Sequence, residues 1–227
     1  MTPNDITAMF DEVAPWYDAM NARMSLGLHR IWRWRTGQAL PAGRRVLDLA
    51  TGTADLAIAL ARRGQSVVGI DLSAGMLARG QDKVRQAGLD GSVTLLQGDV
   101  LALPFLDGSF DAAGNAFLLR NLPDLRPALA EMARVVRPGG QLVCLEIAYP
   151  AFPPWRALFR LYFDRFVPLL GRWLTRVAPA YRYLPESLAR FPPPAEVVAA
   201  LEATGWTPGR PRRLFPGAVM LYTAVRG

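Results

Sequence analysis

Asp48, Gly52, Thr53 and Asp71 have the types and spacing of a site that holds a ribose. An apolar run, 46–49, carries Asp48 and enters a turn of small residues, Ala50-Thr51-Gly52-Thr53-Ala54; a second apolar run, 66–70, ends on Asp71. Strand, tight turn, helix, strand, acid is the first half of a nucleotide-binding βαβ unit. Asp71, 23 residues beyond Asp48, stands where such units place a carboxylate that accepts from both ribose hydroxyls. A dinucleotide needs Gly-x-Gly-x-x-Gly so that backbone can approach a pyrophosphate. Aligned on Gly52, this turn offers Ala50, Gly52 and Asp55, and an acid there repels a pyrophosphate. A ligand with a ribose, an adenine, no phosphate and positive charge suits the turn better than NAD does. S-adenosylmethionine, with its ammonium and sulfonium, is that ligand.

Three more groups belong at the carboxyl ends of strands, where open α/β sheets bind ligands. Asp99 can accept from an adenine amino group and Val100 can meet the ring with its backbone; Asn115 follows the next strand, and Thr53 lies where a ribose or amino-acid tail would sit. An Asx-turn accounts for Asp99 equally well.

The elements that position these residues alternate. Strands are expected at 45–49, 66–70, 92–96, 110–114 and 141–147, and helices at 55–63, 74–87 and 124–136, with Arg137-Pro138-Gly139-Gly140 as a helix stop and turn. Residues 1–40 read as helical, 194–204 as a further helix, and 212–225 as two closing strands around Pro216-Gly217. The expected fold is α/β, a doubly wound, mostly parallel sheet. One domain spans 1–227: a helical cap (1–40), a cofactor core (41–147), an inserted helical lid (151–190), and a closing helix and strands (191–227).

Composition excludes several classes. The 227 residues carry 26 basic and 19 acidic side chains, a net +7, with no basic run long enough to point to nucleic acid. Lys83 is the one lysine among arginines. Cys144 alone forms no internal disulfide, and His29 alone, with no Cys/His cluster, leaves no metal site. No 18-residue apolar run is present and the Met-Thr-Pro-Asn-Asp start lacks a signal-peptide pattern, so a cytoplasmic location is expected.

Residues 41–147 resemble class I S-adenosylmethionine-dependent methyltransferases of Rossmann-like type. A closer resemblance spans nearly the whole chain. Residues 17–32 read Tyr17-Asp18-x-Met20-Asn21-x-x-Met24-Ser25-x-x-x-His29-x-x-Trp32. Further on come Leu119-Arg120-Asn121, then Arg134-Val135-Val136-Arg137-Pro138-Gly139-Gly140 with Glu146, and Tyr181-Arg182-Tyr183-Leu184-Pro185-Glu186-Ser187 running to Phe191-Pro192. Together these resemble the ubiquinone/menaquinone-biosynthesis C-methyltransferases. The chain departs from that pattern at Ala148, where a serine is usual, and at Leu118, where a glycine is common and the larger side chain narrows the pocket.

The resemblance implies methylation of a ring carbon of a reduced quinone, 2-demethylmenaquinol to menaquinol, with S-adenosylmethionine as donor; a ubiquinone-pathway benzoquinol is an alternative acceptor. The ring carbon is a weak nucleophile until its phenol, of pKa about 10, ionises. Arg120 is the candidate for stabilising the phenolate, or equally a partner for a loop carboxylate. His29 is the candidate base, or a packed helix residue; Tyr17 and Asp18 are further donors or acceptors. Between 155 and 176, Trp155, Leu158, Phe159, Tyr162, Phe166, Leu169, Leu170 and Trp173 recur at helical spacing among Arg156, Arg160, Arg165, Arg172 and Arg176. This segment reads as a packed insertion or as a lid touching a membrane surface beside a prenylated quinol, with Pro168 and Gly171 breaking it into two short helices. The oligomeric state is open, a homodimer included. Two other functions compete: an NAD(P) oxidoreductase, disfavoured by the missing glycines, and a non-catalytic subunit of the same fold in a quinone-biosynthesis complex.

Overall fold

The computed structural model describes residues 3–169 and 178–227. Its centre is an eight-stranded sheet. Strands β1 (Arg45–Leu49), β2 (Ser66–Asp71), β3 (Val93–Gln97), β4 (Phe110–Ala116) and β5 (Val136–Ile147) run parallel in the order β3-β2-β1-β4-β5. Strand β8 (Val219–Arg226) pairs antiparallel with β5, and its other edge takes the short strands β6 (Trp206–Pro208) and β7 (Arg212–Leu214). The order reverses between β1 and β4, which opens a crevice at their carboxyl ends.

Strict alternation builds the two layers, because successive strand residues face opposite sides. Leu47, Leu49, Ala113, Leu142, Cys144 and Tyr222 pack on one face with helix α6 (Leu125–Val135); Val46, Ala112, Val143, Leu145 and Leu221 pack on the other with α4 (Asp55–Ala61). Helix α5 (Ala74–Gln86) lies close to the turn after β1 because Gly80 lacks a Cβ, which would meet Leu95 at 3.0 Å and the Gly52 carbonyl at 3.3 Å.

Helices α1 (Pro3–Val13), α2 (Tyr17–Met24) and α3 (Leu28–Gln38) precede the sheet. Met9, Val13 and Met20 form a third apolar cluster with Phe159, Phe163 and Val167, so the first helices bury their apolar sides against the segment from 153 to 169. In that segment α7 (Pro153–Leu161) passes into a π turn, Tyr162–Phe166, and stays helical to 169. The break expected at Pro168 is absent. Proline has no N–H for the carbonyl four residues back, and the widened turn before it gives its ring room. Gly171, Leu170, Arg172, Trp173 and Arg176 lie outside the described residues.

The sequence 137–140 differs from the turn expected of it. Phe110 pairs with Val136 and Ala112 with Gln141, so these residues form an irregularity at the entrance of β5. Gly140 is required there, since a Cβ would fall 2.7 Å from the Asp111 carbonyl. Helix Ala178–Arg190 and helix Pro194–Glu202 follow, the second packing Val197 and Leu201 into the α6 layer.

Candidate active site

A cavity of about 920 Å³ opens at the carboxyl ends of β1, β2 and β4. Gly52, Asp71, Asp99, Val100, Phe117 and Arg120 line it, and Phe10 and Tyr17 border it from the N-terminal helices.

The turn after β1 alternates left-handed backbone: Ala50 (φ 50°), Gly52 (φ 55°) and Ala54 (φ 63°). Its amides are tied inside the protein: Thr51 N–H donates to the Ile70 carbonyl at 3.0 Å and Ala54 N–H to the Thr51 carbonyl at 2.9 Å. The Gly52 N–H donates to Asp71 Oδ2 at 2.8 Å, while Ser73 N–H donates to Oδ1 at 2.9 Å. A Cβ at Gly52 would meet nothing within 4 Å, so its backbone faces open cavity. Burial raises the Asp71 carboxyl, against the two amides that hold it charged. Helix α1 is tied to the same place: Asp11 Oδ1 accepts from Ser73 Oγ at 2.6 Å and from Gly75 N–H at 2.9 Å. Asp99 accepts from Leu101 N–H at 2.9 Å in an Asx-turn and still borders the cavity. The residues present match an adenosine with a cationic tail: carboxylates at Asp71 and Asp99 and a bare glycine backbone between strands.

Thr53, Asp48 and Asn115 take other positions. Asp48 is buried beneath the turn, accepts from Thr51 Oγ1 at 2.7 Å, and leaves Oδ1 without a partner. Burial pushes its carboxyl up to about 7, partly offset by the Thr51 hydroxyl. Asn115 is buried and donates to Cys144 Sγ at 3.1 Å. Thr53 donates to Asp18 Oδ1 at 2.6 Å and accepts from Lys83 Nζ at 3.0 Å. None of the three borders the large cavity.

Asp18 is likewise committed to this network. Lys83 Nζ reaches Asp18 Oδ2 at 2.9 Å, Asp55 Oδ1 at 2.6 Å and the Thr53 hydroxyl, so three acceptors meet its three donors. Burial alone would raise the Asp55 carboxyl, but Arg33 and Lys83 hold it below the usual range. Its other oxygen faces Arg33 at 3.7 Å and His29 at 3.8 Å. Sequence reasoning passed over Lys83, although its being the chain's one lysine was a visible signal.

Arg120 lies in a 3₁₀ turn, Leu119–Asn121, after Phe117, whose φ of 68° is strained for an aromatic residue. Its Nη1 donates to Glu146 Oε1 and to the Phe117 carbonyl, both at 2.8 Å, and its Nε is buried without a partner. The Arg120 and Arg33 guanidinium carbons stand 5.8 and 5.2 Å from the centroid of the Phe117 ring. A smaller cavity of about 130 Å³ adjoins the large one; Phe10, Tyr17, Phe117, Arg120 and Tyr183 line both. His29 borders only the smaller one. The structure thus gathers Gly52, Asp71, Asp99, Val100, Tyr17 and Arg120 around one space and sets His29 beside it.

Known proteins agree with this architecture. A crystal structure titled the [4+2]-cyclase SpnF superposes with a TM-score of 0.72 over 97% of this chain and 95% of that one at 18% identity. A SAM-dependent methyltransferase from Aquifex aeolicus gives 0.59 over 83% and 85% at 22% identity. Both likenesses speak to the fold. Among relatives by sequence, the demethylmenaquinone methyltransferase of Corynebacterium glutamicum (strain R) is 38% identical, covering 99% of this chain and 95% of its own. The one from Thermus thermophilus is 44% identical, covering 88% and 91%. The model of the ubiE/COQ5 methyltransferase family matches residues 2–226. With a family match across the chain and relatives of 38% and 44% identity over most of its length, this protein belongs to the ubiE/COQ5 methyltransferases and is an S-adenosylmethionine-dependent methyltransferase.

Proposed function

We propose that the chain methylates a ring carbon of a prenylated quinol, converting 2-demethylmenaquinol to menaquinol. The observation that carries this reading is the place of Arg120, where the acid-lined cavity meets an apolar one. The proteins from Corynebacterium and Thermus carry the name of this activity, and they cover nearly the same length.

Bound S-adenosylmethionine supplies an electrophilic methyl group on a sulfonium. Asp71 and Asp99 would hold its adenosine, with the open space beside the bare Gly52 backbone left for the rest of the molecule. The protein then has to make a weak carbon nucleophile strong. A guanidinium beside the phenolic oxygen favours the phenolate and raises electron density at the ortho carbon; removing such a group costs roughly 10²–10³ in rate. Tyr17, lining both cavities, is the side chain proposed to hydrogen-bond the same oxygen. Asp18 acts at one remove, fixing α2 on the cofactor turn through Thr53 and Lys83.

The acceptor's tail implies a lipid surface. Leu158, Leu161, Phe166 and Leu169 are exposed on α7 and its continuation, interleaved with exposed Arg156, Arg160 and Arg165. Among the described residues no helix is long and apolar enough to cross a membrane, so the proposed contact is peripheral. Binding to anionic liposomes should weaken in Arg160→Glu/Arg165→Glu, and failure to sediment with them at low salt overturns the contact. The substrate is tested by methyl transfer to a short-tailed demethylmenaquinol, with thermal shift by S-adenosylmethionine against NADH as the binding control. Binding without transfer to the reduced acceptor refutes the assignment.

A further inference from the structure

His29 is the chain's one histidine and is 5% exposed. Its Nδ1 lies 2.8 Å from Arg33 Nη1. A guanidinium has only donors, so Nδ1 accepts and the ring proton sits on Nε2. Nε2 is buried and has no partner. The side chain borders the smaller cavity, and so does Asn21, whose Nδ2 is also buried without a partner. Met9, Val13, Met20, Phe159 and Phe163 supply apolar wall around them. Buried donors are satisfied in most proteins, and two unpaired ones on side chains that line one largely apolar cavity call for an acceptor that the protein does not provide.

Resting on the quinol reading above, we infer that His29 Nε2–H and Asn21 Nδ2–H together hold the second ring oxygen of the acceptor, across the ring from the oxygen at Arg120. A para-quinol carries its two oxygens on opposite sides of one ring, and the smaller cavity is lined by Arg120 and Tyr17 as well as by these two donor residues. His29 is then a positioning and specificity residue. It is not the base, because Nε2 already carries a proton and Nδ1 is closed by Arg33. Burial, then Arg33, hold the imidazole down to about 4, against Asp55 and Asp18, with Arg30 adding to the depression. The ring stays a neutral donor across the working pH range. The arrangement favours 1,4-diols over monophenols, since a monophenol leaves both donors unmet.

Because there is one histidine, ¹⁵N-histidine labelling gives a single imidazole spectrum of the whole protein. The expected result at pH 7 is a neutral Nε2–H tautomer whose proton moves downfield when a short-tailed demethylmenaquinol is added anaerobically. His29→Phe and Asn21→Ala should each raise KM for the quinol about tenfold, with a smaller effect on kcat, and His29→Gln should recover most of the loss. Asn21→Ala leaves the Arg33–His29 bond intact and serves if His29→Phe misfolds. An Nδ1–H or cationic ring at pH 7, an Nε2–H unmoved by the quinol, or a kcat loss in His29→Phe that removes a limb of the pH profile overturns the inference. Absence of transfer by the wild-type chain counts against the function; the Nε2–H response still decides the inference.

Discussion

Replacing Arg120 by Met and Glu146 by Leu, singly and together, separates what this pair does for the fold from what it does for methyl transfer. The Arg120 side chain is 6% exposed and that of Glu146 is 0%. Glu146 accepts from Arg120 Nη1 at 2.8 Å, from the Arg120 amide at 3.1 Å and from the Ile147 amide at 2.9 Å. Glu146→Leu strands a buried guanidinium, which costs about 3–5 kcal/mol. For a chain of this size the melting temperature should fall by about 6–20 °C, at ~2–4 °C per kcal/mol. Arg120→Met leaves a carboxylate that still accepts two amides, so its cost lies near ~3 kcal/mol. The double variant strands no charge. It loses the acceptor of two amides and the Arg120 donor to the Phe117 carbonyl, and it should lie within roughly 2–3 kcal/mol of wild type. A double-mutant cycle read by urea denaturation should therefore show a coupling of about 3–6 kcal/mol. Kinetics follow a different pattern. Arg120→Met and the double variant should both lose about 10²–10³ in kcat, while S-adenosylmethionine affinity in the double variant stays within a few-fold. A folded, cofactor-binding double variant with wild-type kcat refutes the electrostatic role of Arg120.

Lys83→Met removes the ammonium from Asp18, Asp55 and Thr53, in a site whose charged side chains are 23–37% exposed. The cost should fall between the exposed and buried limits, about 2 kcal/mol or ~4–8 °C by calorimetry, with weaker S-adenosylmethionine binding by titration. Asp55 lies below its unfolded value, so its share of stability is present above pH ~4 and lost as pH falls through the folded value. The wild-type and variant curves should converge in acid. Asp48 runs the other way. Its folded carboxyl titrates at about 7, so the folded state keeps a proton that the unfolded chain has released, and stability should fall as pH rises from about 4 to 7. At about 1.4 kcal/mol per unit the loss approaches ~4 kcal/mol, and Asp48→Asn should flatten the profile.

The cofactor turn was legible because its partners are local. Leu49 pairs with Ile70, so β1 and β2 bring Gly52 beside Asp71 by the register of adjacent strands. The alternation of strands and helices between 45 and 147 was equally readable, and it implied the parallel core. What alternation could not assign was which polar residue would face the cavity. Asp48 and Asn115 read as site residues, yet both lie buried beside it, in the sheet.

Sequence by itself determined the order of strands and helices, the acid-rich turn and the family, since each rests on neighbours along the chain or on motif spelling. Tertiary structure alone decided the roles. Lys83 meets Asp55 from 28 residues away and Asp18 from 65. Arg120 gains its counter-ion from Glu146, and the left-handed backbone at Phe117 precedes it. His29 became a neutral donor because Arg33, one helical turn on, closes its other nitrogen and the fold buries both. A side chain's protonation and direction depend on what long-range packing sets against it, and one-dimensional spacing does not carry that information.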